Sequence, residues 1–335
     1  MLQYLNEQDI VIGRSTMFRA LFISLSKAMW AQRLITNLPF AWRAASRFVA
    51  GETPTAAIRT VKELNDKGIL ATLDHLGENT TLPAEAVQAA DEILIIIDEI
   101  NRSGVRSNVS IKLSQIGLNL DEELCRQNLR RILERAKATG NYIRIDMEDS
   151  PVTDKTLGLL TWAREQGFTD VGTVIQSYLF RSEADIRSLL AQGVRVRLVK
   201  GAYREPASVA FPKKSDVDAN YDHLTDVLLD GTLAAASPVI SADGRTPPIL
   251  AVASHDEARI AYARTAARQR GIPESAIEFQ MLYGIRRDLQ ESLAQAGYPV
   301  RVYVPYGTHW HPYFMRRLAE RPANFWFFLS NLFKK

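Results

Sequence analysis

Two arginines, Arg316 and Arg317, stand side by side near the end of the chain, with Tyr313 before them and Glu320 after. If 312–322 is helical, Tyr313, Arg316, Arg317 and Glu320 fall at i, i+3, i+4 and i+7 and share one face. That spacing ordinarily turns apolar side chains toward a core. Here it carries an aromatic ring, two guanidiniums and a carboxylate. Paired guanidiniums grip a carboxylate through planar, two-pronged, charge-assisted bonds that lysine cannot reproduce. The chemistry suggested is capture of a small carboxylic acid; the plain alternative is a solvent-facing basic patch.

Other residues able to do chemistry recur at the ends of short apolar runs. These runs lie at 68–74, 108–113, 142–147, 171–176, 194–199, 248–253, 277–281 and 300–304. They are β-branched and bounded by Gly, Pro, Asn or Asp, which reads as buried parallel strands. Amphipathic segments at 84–101, 121–138, 153–166, 182–192, 216–230 and 256–270 separate them, and Asp121, Thr153, Ser182 and Ser254 stand where helix N-caps are expected. About eight βα units in roughly 250 residues is the requirement of an α/β fold of the (β/α)8 TIM-barrel type. An open doubly wound sheet is the runner-up, disfavoured by the strand count and by the lack of a Gly-rich turn after the first strand.

Barrel enzymes place their active sites at the C-terminal strand ends. Those ends carry Asp74 with Glu78 just beyond, then Lys112, then Asp146, Met147 and Glu148, then Gln176. Arg197 and the run Lys200, Gly201, Ala202, Tyr203 follow; then Ser254, His255 and Asp256, Gln280, and finally Tyr303. One such residue is usually a cap or a surface ion pair. So many would crowd one mouth unpaired unless a ligand filled it. Rival chemistries are a metal held by His309 and His311 or by Asp146, Glu148 and Asp149, and a Schiff base on Lys112 or Lys200 in an aldolase or lyase. A non-catalytic binding protein on a degenerate barrel is the reading outside enzymology.

Residues 1–66 hold helical stretches near 15–28, 40–50 and 54–66 and no strand-like run, which predicts a helical arm packed on a barrel at 67–335. The small-residue and proline-rich stretch 231–247 predicts a loop. The aromatic tail 325–335 suits a last helix packed on the arm or on a second subunit, or a membrane-surface contact. With 41 basic and 38 acidic residues the net charge is +3, and no basic run of the kind that tracks nucleic acid occurs. The single cysteine, Cys125, excludes an intrachain disulfide and a multi-cysteine zinc site. The N-terminus has neither signal nor transit pattern and no long apolar stretch follows, so a cytoplasmic protein is expected.

Several strings resemble those of FAD-dependent proline dehydrogenases of the monofunctional bacterial branch. They are SIKLS at 110–114, RIDMED at 144–149, QSY at 176–178, VRLVKGAY at 196–203, EFQMLYG at 278–284, VYVPYG at 302–307 and the Arg316–Arg317 pair. The likeness runs in order from about 68 to 324 and implies a distorted barrel whose last helix lies over the active site. It further implies that Arg316 and Arg317 hold the carboxylate of L-proline, with Lys112 and Asp146 nearby and Tyr303 and Tyr313 around the ring. Glu78 would pair with Arg316 as a gate. Met147, Gln176, Arg197, Lys200, Gly201, Ala202, Ser254, His255 and Gln280 would contact FAD, with Arg197 and Asp146 as the catalytic pair and Arg197 reaching the flavin N5. No metal is implied. The hydride would leave proline C5, giving Δ1-pyrroline-5-carboxylate, the substrate of pyrroline-5-carboxylate dehydrogenase as pathway neighbour. Electrons would pass to a membrane quinone, with peripheral contact at the inner membrane, and a homo-oligomer fits the tail. His75, the 231–247 loop and the aromatic tail depart from the family pattern.

Overall fold

The computed structural model describes residues 39–78 and 80–320. Eight parallel strands close on themselves in sequence order: β1 (Leu70–His75), β2 (Ser107–Ile111), β3 (Ile143–Ile145), β4 (Val171–Gln176), β5 (Val196–Val199), β6 (Leu250–Ala253), β7 (Ile277–Leu282) and β8 (Val300–Tyr306). The ring closes where Ala71 pairs with Val302. The closed barrel answers the choice left open against a doubly wound sheet. β3 is half the expected length, and Lys112 and Asp146 lie just past their strands, on the rim.

Helices α1 (Pro39–Ala45) and α2 (Pro54–Asn65) precede the barrel. Around it run α3 (Pro83–Ser103), α4 (Glu122–Ala138), α5 (Thr153–Glu165), α6 (Ser182–Ala191), α7 (Lys214–Ala234), α8 (Glu257–Gln269) and α9 (Arg287–Gln295), and α10 (Trp310–Glu320) closes the described chain. α3 shows why such segments fold as they do. Pro83 opens it, Gly104 in the left-handed region (φ 66°) ends it, and Ile93, Ile96, Ile97 and Ile100 form one buried stripe toward the strands. Of the four expected caps, only Asp121 acts as one, accepting from the Glu123 and Leu124 amides at 2.7 and 3.3 Å. Thr153 and Ser182 are the first helical residues, and Asp256, not Ser254, caps α8. Ser182 instead donates to the Gln176 and Leu179 carbonyls. Helix α7 runs four residues into the stretch read as loop from 231. The expected helix 15–28 and the tail 325–335 lie outside the described residues.

Two buried clusters matter for the site. The main one joins the strands' outer faces to the helices and includes Ala57, Ile58 and Val61 of α2. The second joins Ala41, Ala44 and Phe48 to Leu76, Ile285 and, on α10, Trp310, Phe314 and Leu318. The Trp42 and Trp310 rings meet at a tilt of 60° with centroids 5.5 Å apart, and Trp310 donates to Glu52 at 3.1 Å. The turn after β7 approaches so closely that a Cβ on Gly284 (φ +76°) would lie 1.9 Å from the Arg47 carbonyl. Only glycine fits there. By these contacts α1 and its following turn fasten α10 to the barrel rim.

Many barrels of this class fill their lumen with branched apolar layers; here the interior is polar. Glu278 and Arg301 form a wholly buried pair at 2.9 Å, and Arg301 also donates to the Ala71 and Gly244 carbonyls. Gly244 belongs to the loop between α7 and β6, which crosses the N-terminal ends of the strands. Its Arg245 carbonyl accepts from Asn108 at 2.9 Å, and Arg245 itself donates to Thr139. The loop is therefore the floor of the barrel. Glu278→Ala strands the Arg301 charge, so it is expected to lower unfolding free energy by about 3–5 kcal/mol. Urea unfolding measures this, and an unmoved midpoint would show that the pair does not hold the floor.

Candidate active site

At the opposite end of the lumen, side chains from five strand ends meet around one ammonium. Lys112 Nζ donates to both oxygens of Asp74 at 3.2 Å, to Asp146 Oδ2 at 3.2 Å and to the Tyr303 hydroxyl at 3.0 Å. Glu78 Oε1 lies 3.7 Å away. Asp146 also accepts from Arg197 at 2.9 Å and from Tyr303 at 2.8 Å. Contacts linking β3 with β5 and with β8 are possible only across the inside of a closed barrel, so these groups line its mouth. They are nearly all buried: Asp74 is 1% exposed, Arg197 5% and Lys112 7%.

The three carboxylates differ in what faces them. Burial would raise Asp146, yet Lys112, Arg197 and the Tyr303 hydroxyl outweigh it and hold its pKa below the usual value. Burial likewise opposes Glu78, and Lys112 with Arg316 pulls it down. Asp74 has Lys112 alone for a cation; burial, with Asp146 and Glu78 adding, pushes its carboxyl up to about 6. Lys112 is lifted well above its ordinary range, burial being outweighed by Asp74, Tyr303, Asp146 and Glu78. Favoured as an ammonium, it is poorly suited to be a Schiff-base nucleophile. Lys200 sits between Asp218 at 2.5 Å and Asp256 at 2.6 Å and is no better placed.

Helix α10 brings the arginines to this cluster, starting two residues earlier than the spacing predicts. Arg316 grips Glu78 with two bonds at 2.9 and 3.1 Å. The two side chains are 36% and 19% exposed, so the pair sits at the solvent edge. A pair at the solvent edge is screened by water and holds less tightly than the buried contacts around Lys112. Arg317 is more buried and lies over the Tyr313 ring at 5.0 Å, with Arg316 at 6.0 Å from the same ring. The expected shared face of Tyr313, Arg316 and Arg317 is present; the Glu320 side chain is outside the described residues.

The remaining expected residues lie along the strand ends from β3 to β7, apart from the lysine cluster. Gln176 donates to the Glu148 carbonyl at 2.9 Å, and Glu148 accepts from the Ser114 amide and hydroxyl. Gln280 donates to Glu278 at 2.5 Å, Ser254 accepts from the Asp256 amide, and His255 Nε2 accepts from the Leu282 amide at 3.0 Å. Met147 is buried at the rim. Gly201 (φ +119°) starts the turn leading to Ala202, and a Cβ there would strike the Tyr178 ring at 2.6 Å. The Arg197 Nη2 donates to Ser110 at 2.9 Å, whereas its buried Nε has no acceptor. Sequence reasoning gave no role to Ser110 and gave Asp74 no partner. Alternation would have found Ser110, which points inward two residues before Lys112.

His75, the departure from the apolar pattern, lies against Tyr306 at 5.2 Å; burial and then His309 push it down to about 4, so it is neutral. Among the described residues no three His, Cys, Asp or Glu side chains are grouped to hold a metal, and no helix is long and apolar enough to cross a membrane.

A family profile described as "Proline dehydrogenase" matches residues 57–328. "Proline dehydrogenase 1" of Bacillus subtilis is 43% identical over 318 residues, covering 94% of this chain and 98% of that protein. "Proline dehydrogenase" of Deinococcus radiodurans is 44% identical over 297 residues, covering 88% and 91%. The crystal structure of proline utilization A from Bdellovibrio bacteriovorus superposes with a TM-score of 0.77 at 24% identity, covering 92% of this chain and 37% of that longer one, a likeness of fold.

The raised carboxyl of Asp74 has a consequence for stability. Its ordinary value is 3.8 and its folded value about 6, so between these the folded protein holds more protons than the unfolded. Stability from this group falls as pH rises through that window and stays low above it. Asp74→Asn mimics the neutral acid. Its melting temperature is expected to exceed the parent's by a few degrees at pH 8, with the gain gone by pH 4. A parallel pair of melting curves against pH would refute the assignment.

Proposed function

The chain belongs to the proline dehydrogenase family, and from that premise we propose that its barrel mouth oxidises L-proline to Δ1-pyrroline-5-carboxylate with FAD as the acceptor. The carrying observation is the half-buried Arg316–Glu78 pair beside the buried lysine cluster, a carboxylate site held shut by an internal carboxylate. Proline's carboxylate replaces Glu78 on Arg316, and Arg317 supplies the second guanidinium. Because Glu78 neighbours both Arg316 and Lys112, the group that replaces it meets Lys112 as well. Tyr303 and Tyr313 pack around the ring, and α10 excludes water from the reacting carbon.

The residues present fit a flavin. Arg197 Nε is a buried donor lacking an acceptor, and the strand ends beside it carry amide, imidazole and glycine positions. Met147, Gln176, Arg197, Lys200, Gly201, Ala202, Ser254, His255 and Gln280 are the residues that would hold it. When bound, it supplies the two-electron acceptor that side chains lack, taking hydride from proline C5. Asp146 orients Arg197 and Tyr303, and Arg197 offers positive charge where negative charge accumulates.

In this reading residues 1–66 are an arm and 67–335 the catalytic domain. Electrons leave to a membrane quinone, which a cytoplasmic protein reaches by peripheral contact with the inner membrane. Pyrroline-5-carboxylate dehydrogenase takes the product.

The purified protein is expected to be yellow and to bleach on anaerobic titration with proline, followed by visible absorbance. A colourless protein that cannot be reconstituted with FAD would end the proposal. Arg316→Lys is expected to raise KM for proline at least tenfold with flavin still bound, since a point charge replaces a planar fork. An unchanged KM would show that the clamp lies elsewhere.

A further inference from the structure

Proline enters neutral water as a zwitterion, and its ring nitrogen carries two hydrogens and a positive charge. Hydride cannot leave C5 until that nitrogen has a lone pair to form the C=N bond. A proton must therefore go somewhere within a mouth that α10 closes, and the positions of the cluster's groups narrow the choice.

Asp146 is held by two cations, Lys112 at 3.2 Å and Arg197 at 2.9 Å, and accepts from the Tyr303 hydroxyl. Glu78 faces Lys112 and Arg316, and it gives up Arg316 when substrate binds. Asp74 is the deepest of the three, with both oxygens 3.2 Å from the Lys112 ammonium and 1% of its surface exposed. The groups facing it are Lys112 just past β2, Asp146 just past β3, Tyr303 and Tyr306 from β8 and Glu78 from the loop after β1. No second cation reaches it among the described residues.

We propose that Asp74 is the proton store of the reaction, filled through Lys112. The inference rests on the proline-oxidising reading above. Lys112 gives a proton to an Asp74 oxygen and takes one from the substrate's ring nitrogen, so the ammonium persists and a carboxylic acid forms at Asp74. The nitrogen lone pair thus freed forms the C=N bond as the C5–H bond breaks, its electron pair leaving to the flavin oxidant. Substrate loses one proton and one hydride; nothing is drawn from solvent. The upward push on the Asp74 carboxyl and the downward push on Asp146 and Glu78 agree with this ranking of proton affinity. Until α10 reopens, the store keeps the proton beside the ammonium that delivered it.

Two measurements on the holoenzyme test this. In the anaerobic pH profile of kcat/KM for proline, the parent is expected to lose activity tenfold per pH unit below a break near 6. Asp74→Asn is expected to lower kcat about a hundredfold or more with a smaller change in KM, and to abolish that acid limb. Asp74→Glu should restore both in large part, a recovery that a merely structural role would not give. Independently of turnover rate, infrared difference spectra on reduction by proline should show a new protonated-carboxyl band in the parent that is missing in Asp74→Asn. A band that persists in Asp74→Asn, a parent with no such band, or an unchanged acid limb in the variant would overturn the inference while leaving proline oxidation intact. Failure of the parent to bleach with proline would instead remove the reading beneath it.

Discussion

Everything at the mouth of this barrel is arranged around one buried ammonium. Lys112 is approached by Asp74, Asp146, Glu78 and Tyr303, which arrive from three strand ends and a loop. In a medium of effective dielectric near 20, charges about 3 Å apart attract by roughly 5 kcal/mol. Taking Lys112 away would leave carboxylates facing one another out of water. The arrangement also disfavours the lysine as a nucleophile: the groups that hold it in place favour its ammonium form, so any proton it passes on is replaced.

Above that cluster, the placing of the Arg316 and Arg317 guanidiniums depends on how α10 is held. Its apolar face is pinned by Ala41, Ala44 and Phe48 and by the tryptophan pair, while its polar face presents Arg316 and Arg317. The helix is anchored firmly along one side and ionically along the other. The ionic side is the more exposed one, and in the proposed reading its partner, Glu78, carries the same chemical group as the ligand that displaces it. Binding in that reading exchanges one carboxylate for another on Arg316.

Much of this was legible in the sequence. Eight β-branched runs predicted eight strands, since strands buried on both faces are nearly continuous in apolar residues. The i, i+3, i+4 spacing placed Tyr313, Arg316 and Arg317 together because a helix leaves no freedom in that relation. What stayed hidden were relations across the lumen. Nothing local announces that Asp74 meets Lys112, or that Arg301 pairs with Glu278, because the partners lie 38 and 23 residues apart and are joined by barrel closure. The capping assignments at Thr153, Ser182 and Ser254 failed for a related reason. Ser182 found carbonyls to bond within its own loop, and Asp256 took the cap two residues on. The stretch near 231–247 reads as a loop from its composition, but its place does not follow from that; Gly244 and Arg245 put it under the barrel because their carbonyls satisfy Arg301 and Asn108.

A loop laid across the underside leaves the mouth under α10 as the open end of the lumen. A molecule arriving and a molecule departing must share the route past α10, so the two events exclude each other in time. Slowing the helix would therefore hold up traffic in both directions at once, and a spent ring that lingers becomes a stopper against the next one.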